Sequence, residues 1–255
     1  KEKRNFLDVW SVQVTDEGIY FQSRERLFLL TKSGKGNSPA WITKSWEPST
    51  HFMYSFYLDH VFYVHEQSVG LLKMLIDSLV LIPGSEFLGA DRMQVMLPYT
   101  GDVTQKDTIL QKEYLASTFT HGIYVFDGKK FKPFKTEADS LVRKYMVYKG
   151  IPINGNYALS LLGYGLIIIN PQGKIVQVIS RSTAGLPSDI IYSIYADLKG
   201  DVWLGLDNGI SKIAINSPFT VFNSQSGILA GPCSIAKLPD GSFYVGTSNV
   251  LLRFH

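Results

Sequence analysis

The chain has one cysteine in 255 residues, Cys233, which excludes an intrachain disulfide and a multi-cysteine zinc site. Cys233 stands in a Gly-Pro-Cys-Ser stretch ahead of an apolar segment, where a small buried hydrophobe is the expected role. Charge is scarce as well: 18% of residues are charged and the formal net charge is +3. The basic clusters are short and far apart: Lys1 to Arg4, Lys129 to Lys135, and Arg143 with Lys144. A nucleic-acid partner needs a continuous cationic stripe, so nucleic acid is excluded. The longest apolar stretches, such as 161–169 and 79–82, fall far short of the ~18–20 residues of a membrane span. Any membrane attachment is therefore expected through segments outside this sequence. The start at Lys1, with no Met and no signal peptide, reads as a processed or excised piece.

Signatures of chemistry are equally sparse. The histidines His51, His60, His65, His121 and His255 form neither a His-x-Glu nor a His-Glu-x-x-His pair, so no metal site is expected. No Gly-x-Ser-x-Gly elbow is present, and Gly34-Lys35-Gly36 and Gly163-Tyr164-Gly165 lack a phosphate cradle. Neither a cofactor nor a catalytic residue is expected.

What the sequence does have is aromatics, glycine and a repeat. With 14 Tyr, 15 Phe and 22 Gly, composition favours strands joined by tight turns. The clearest unit is Asp197-Leu-Lys-Gly-Asp-Val-Trp-Leu-Gly-Leu-Asp-Asn-Gly-Ile-Ser-Lys-Ile213: strand end, turn, strand, Asp-Asn-Gly turn, strand. The same grammar recurs at 238–254 and, more weakly, at 15–30, 58–73, 113–126 and 156–169. Its aromatic anchors are Tyr20, Tyr63, Tyr114, Tyr157, Trp203 and Tyr244, expected to be core, at a spacing of about 45 residues. Gly70, Gly122, Gly165 and Gly209 precede the third strand, where a tight turn needs positive φ.

This period predicts an all-β fold: a β-propeller of about six four-stranded antiparallel blades in a single domain over 1–255. Blades are expected near 8–48, 49–90, 91–140, 141–184, 185–226 and 227–255. The fifth reads in full as strands 190–196, 201–206, 210–215 and 219–222. The sixth lacks an outer strand. Either residues 1–7 supply it and close the ring, or the chain is a slice of a larger propeller with open sheet edges.

The segment 185–213 carries more than a period. Its Gly185-Leu-Pro opening, Asp197-Leu-Lys-Gly turn, Trp203-Leu-Gly strand and Asp207-Asn-Gly-Ile turn resemble the two-component regulator propeller repeat. Residues 226–254 look like a degenerate second copy, with Asp240-Gly241 and Val245-Gly246-Thr247. The resemblance implies a non-catalytic extracytoplasmic sensing or interaction module of a bacterial membrane sensor, periplasmic or extracellular. Its kinase or cyclase output would lie outside this chain. It also implies an oligosaccharide or other small polar ligand, with propeller–propeller or homodimer contacts.

Repetition separates structural from functional polar residues. Asp16, Asp197 and Asp240 recur at one turn position and are expected to bond their own backbone, whereas Asp91 stands outside that pattern. Loops joining second to third strands, and outer to next inner strands, share one face of a propeller. Ligand-binding candidates there are Arg24, His65, Glu66, His121, Tyr164, Arg181, Asp207 and Asn208, with Glu25 and Thr120 beside them. An enzymatic alternative, a polysaccharide lyase or glycosidase, needs Tyr164, His121 and Glu66 to line one pocket. A structural adaptor is the third reading. Trp41 and Trp46, near the first outer strand, either pack between blades or form an exposed patch.

Overall fold

The computed structural model describes residues 8–33, 40–101, 112–215 and 227–254. They form an all-β propeller of six antiparallel sheets that follow one another along the chain. Blade 1 holds β1 (Ser11–Thr15), β2 (Gly18–Gln22), β3 (Leu27–Ser33) and β4 (Ala40–Trp46). Blade 2 holds β5 (Phe52–Leu58), β6 (Val61–Glu66), β7 (Gly70–Leu75) and β8 (Ser78–Leu81). Blade 3 holds β9 (Met93–Tyr99), β10 (Glu113–Thr118), β11 (Ile123–Phe126) and β12 (Phe131–Pro133). Blade 4 holds β13 (Val147–Ile153), β14 (Asn156–Leu161), β15 (Gly165–Ile169) and β16 (Ile175–Ile179). Three strands are described in each of the last two blades: β17 (Ile191–Ala196), β18 (Val202–Leu206) and β19 (Gly209–Ile213), then β20 (Pro232–Lys237), β21 (Phe243–Thr247) and β22 (Leu251–Phe254). The expected outer strand 219–222 and closing segment 1–7 lie outside the described residues.

Turn chemistry sets these hairpins. Gly70 and Gly165 take positive φ before the third strand, and a Cβ there would fall 2.7 Å and 2.5 Å from the carbonyl oxygens of Ser85 and Ile179. The Asp197 carboxylate accepts from the backbone N–H groups of Lys199 and Asp201, and Asp240 accepts from that of Ser242. Asp16 departs from this pattern, pairing instead with His60 of blade 2.

Stacking then buries the sheet faces. Four apolar clusters fill the spaces between blades 1 and 2, 2 and 3, 3 and 4, and 4 and 5. Each fully enclosed Leu, Ile or Phe contributes about 1.5–3 kcal/mol. The inner strands β1, β5, β9, β13 and β17 contact one another in sequence and line the axis.

The anchor aromatics divide. Tyr20, Tyr63, Tyr114 and Tyr157 are buried as expected. Tyr63 and Tyr114 meet across one interface, with ring centroids 6.4 Å apart, so Tyr20 and Tyr63 face the following blade while Tyr114 and Tyr157 face the preceding one. Trp203 and Tyr244 correct the expectation: Trp203 is 40% exposed and Tyr244 half-buried. Period 2 explains Trp203, since its neighbours Val202 and Leu204 occupy the blade 4–5 cluster and turn it to the other face. Cys233 is a second correction, being exposed on β20. Trp46 packs against Tyr20 and donates its indole N–H to the Asp77 carbonyl, whereas Trp41 is exposed beneath the Lys32 ammonium.

Candidate functional site

β-Bulges mark the starts of the inner strands. In β5, β9, β13 and β17 an extra residue enters the ladder with the second strand: Met53, Gln94, Tyr148 and Tyr192. A bulge breaks alternation and re-aims side chains. Here it gathers residues from different blades at the axis, on the face that carries the second-to-third-strand turns. The Lys149 ammonium lies 4.9 Å from the centre of the Tyr54 ring and donates to its hydroxyl at 3.2 Å. It also sits 5.7 Å from the Tyr148 ring, whose centroid is 6.1 Å from that of Tyr192 at 69°. Tyr54 belongs to blade 2 and Lys149 to blade 4, so their contact reaches past β9 of blade 3. On β9, the buried Oε1 of Gln94 has no hydrogen-bond partner among the described residues.

Cation–π contact with two rings stabilises the ammonium by about 0.5–2 kcal/mol. Burial, with Tyr54 and Tyr192 nearby, pushes the Tyr148 hydroxyl above the ordinary tyrosine pKa, so it stays a neutral donor. Tyr192 is 49% exposed and forms the open side of the cluster. Aromatic faces beside a cation and phenolic hydroxyls suit a ring-shaped polar ligand.

The residues expected from the sequence lie on this face but do not converge; among the described residues no hydrogen bond joins any two of the eight. His65 and Glu66 are corrections, because both are buried. His65 Nε2 is 2.8 Å from the Leu88 carbonyl oxygen, and burial lowers its pKa, leaving a neutral ring that holds the 86–90 turn. The Glu66 carboxylate accepts from Ser49 N–H, Ser49 O–H and Thr50 N–H, fixing the link between blades 1 and 2. Tyr164 is half-buried, its ring 4.8 Å from that of Tyr145. His121 Nδ1 lies 2.9 Å from the Asp91 carboxylate. Arg24 and Arg181 are exposed, and their backbones engage Phe52 and Asp189. Asp207 and Asn208 form an exposed turn, with the Asn208 amide donating to the Pro187 carbonyl. Glu66, His121 and Tyr164 thus serve three separate partners rather than one pocket.

Asp91, unrepeated in the sequence, is a buried hub. Its carboxylate accepts from the backbone N–H groups of Arg92, Thr120 and His121 and from the Thr120 hydroxyl. Burial raises its pKa, but these bonds outweigh that and hold it at about 2. A small cavity of about 110 Å³ lies on the opposite face, between blades 1 and 2. Its polar groups satisfy one another, as in Tyr20 to Glu17 and Asp16 with His60, so the axial cluster is the stronger candidate. Among the described residues no group of three His, Cys, Asp or Glu could hold a metal ion, and no helix is long and apolar enough to cross a membrane.

No family model matches the sequence, and no curated protein matches it significantly. Solved structures do. One is the extracellular domain of a B. thetaiotaomicron protein described as a hybrid two component system: TM-score 0.56, 16% identity, covering 98% of this chain and 34% of that one. Another is PorZ, a surface component of the type-IX secretion system of Porphyromonas gingivalis: TM-score 0.51, 11% identity, covering 84% of this chain and 34% of that one. The likeness shows the fold. The chain spans about a third of the length of these structures.

The axial cluster escaped the sequence reading, although a signal was present. Val147-Tyr148-Lys149 and Ile191-Tyr192-Ser193 repeat an apolar–Tyr–polar triplet at the inner-strand start, and Met53-Tyr54-Ser55 offers the same pattern one position later. A rule that treats repeated residues as structural discards that signal.

Proposed function

We propose that the chain is a non-catalytic ligand-sensing or interaction propeller from the extracytoplasmic region of a bacterial two-component-type membrane sensor. Its ligand is a saccharide or similar ring-shaped polar molecule, held at the axial cluster of Tyr54, Tyr148, Lys149 and Tyr192. The observation that carries this reading is the convergence of three tyrosines and a lysine from three blades. Tyrosine faces cover the apolar faces of a sugar ring, while the ammonium and phenol groups donate to its hydroxyls. The repeat in 185–213 and the likeness to an extracellular sensor domain support the sensing role. Separate partners for Glu66, His121 and Tyr164 support a non-catalytic one. Output would follow from a shift in association or orientation of propeller modules when the ligand favours one arrangement.

Thermal shift against an oligosaccharide panel tests the reading, because a ligand of the native state raises Tm. At least one saccharide is expected to raise Tm for the parent chain and to lose that effect with Tyr192→Ala. No shift across the panel, or shifts unaffected by Tyr192→Ala, would refute it.

A further inference from the structure

Charges pair off on one face of the propeller, whereas on the other most Lys and Arg side chains have no carboxylate partner among the described residues. At the turns joining first to second and third to fourth strands, Asp59 meets Lys112, Asp77 meets Lys44, Asp201 meets Lys212 and Asp240 meets Arg253. On the face of the tyrosine cluster the carboxylates are occupied otherwise. Glu66 is taken by Ser49 and Thr50, Asp91 by Thr120 and His121, Asp189 by the Arg181 N–H, and Glu47 by Arg26. Asp8, Glu25, Glu86 and Asp207 remain on that face. Against them, Arg24, Arg92, Arg143, Lys144, Lys149 and Arg181 have no carboxylate within 4 Å among the described residues.

Lys149 is the most telling of these because it is half-buried at the axis. Its ammonium has three donors, and one is spent on the Tyr54 hydroxyl. Two remain without a partner among the described residues, in a setting poorer in water than the rim, where a charge-assisted bond is stronger. The other unpaired cations of this face add a longer-range attraction that salt screens.

Resting on the saccharide reading above, we propose that the ligand carries an anionic substituent, carboxylate or sulfate, and that Lys149 binds it. The ammonium keeps its contact with the tyrosine rings and gives its two free donors to the anion, while the sugar ring lies along Tyr148 and Tyr192. Selection of acidic over neutral saccharides then rests on this one side chain, and the rim cations chiefly accelerate encounter.

Isothermal titration of the full chain tests the proposal with three oligosaccharides of equal length: neutral xylo-oligosaccharide, oligogalacturonide and a sulfated chondroitin oligosaccharide. An acidic ligand is expected to bind at least about tenfold tighter than the neutral one, with the advantage falling as salt rises. The uronate and sulfate arms show which anion is preferred. Lys149→Met is expected to abolish that preference and Lys149→Arg to retain it, both still unfolding in one cooperative transition, with Tm lowered by a few degrees at most in Lys149→Met. Arg181→Met is expected to change affinity less than about threefold. Equal affinity for neutral and acidic ligands, or a preference that survives Lys149→Met, overturns the proposal. Equal affinity for neutral and acidic ligands that is lost with Tyr192→Ala would overturn it while leaving the saccharide site intact; absence of any saccharide binding overturns both.

Discussion

Blades 4 and 5 carry the same strand–turn–strand grammar, yet they use it differently. In blade 4 every residue of β15 is buried, and residues 157–161 of β14 are too, because both sheet faces are apolar and each meets a neighbour. In blade 5 the face toward blade 4 is buried through Val202, Leu204 and Leu206, while Tyr195 and Ile210 on the other are 64% and 75% exposed. Blade 5 is nevertheless the copy whose repeat is plainest in the sequence. Turn motifs report how a hairpin closes; apolarity on both faces reports whether a blade is sandwiched. The two signals are independent, and the conspicuous one says less about stability.

The comparison breaks first at Leu159. This β14 residue is fully buried in the blade 3–4 cluster. Leu159→Ala is expected to cost about 2–5 kcal/mol in denaturant unfolding, from lost transfer energy plus a cavity. Ile210→Ala in blade 5 is expected to stay within about 0.5 kcal/mol. Similar costs at the two sites would show that blade 5 is enclosed as fully as blade 4.

Inter-blade staples sharpen the same contrast at intermediate size. Asp91 ties the blade 2–3 link to the β10–β11 turn through several donors, whereas Asp189, between blades 4 and 5, accepts from Arg181 N–H. Asp91→Asn is expected to cost about 1–3 kcal/mol, because N–H donors are left facing a weaker acceptor. The folded pKa of Asp91 lies below its unfolded value, so its contribution is fully present above about pH 4. It is lost as pH falls toward about 2. Stability measured between pH 5 and pH 2 is expected to show that acid-sensitive portion in the parent chain and to lack it in Asp91→Asn. An unchanged acid profile would remove Asp91 from the set of structural staples.

Much of this architecture was legible because period and turn chemistry are local. Positive φ at Gly70, Gly122, Gly165 and Gly209 and the self-bonding of Asp197 and Asp240 follow from a few adjacent residues. What one sequence conceals is convergence across blades. His65 and Glu66 end β6 just before a polar turn, and their burial depends on the 86–90 turn and the 49–51 link closing over them. Lys149 meets Tyr54 across 95 positions of sequence and an intervening strand. Trp203 reads as core by its motif, yet it points away from the blade 4–5 cluster, gives its indole N–H to Asp197 and lies beneath the Lys212 ammonium.

The smallest expected effect tests the comparison at its far end, in blade 6. All six residues of β20 are exposed, and Ile235, which pairs with Val245 in the ladder, is 70% exposed. An apolar side chain already in water loses almost nothing when made polar, so Ile235→Thr is expected to change unfolding free energy by less than about 0.5 kcal/mol. The β-branched shape is retained, so strand propensity is held constant and the measurement isolates burial. A cost above about 1.5 kcal/mol would mean that this face is covered in solution. A second copy of the chain is one such cover, and it would make the cost depend on protein concentration, since association stabilises the native state by mass action. Unfolding of parent and Ile235→Thr at two concentrations tenfold apart therefore distinguishes a free sheet face, with no cost at either, from a covered one.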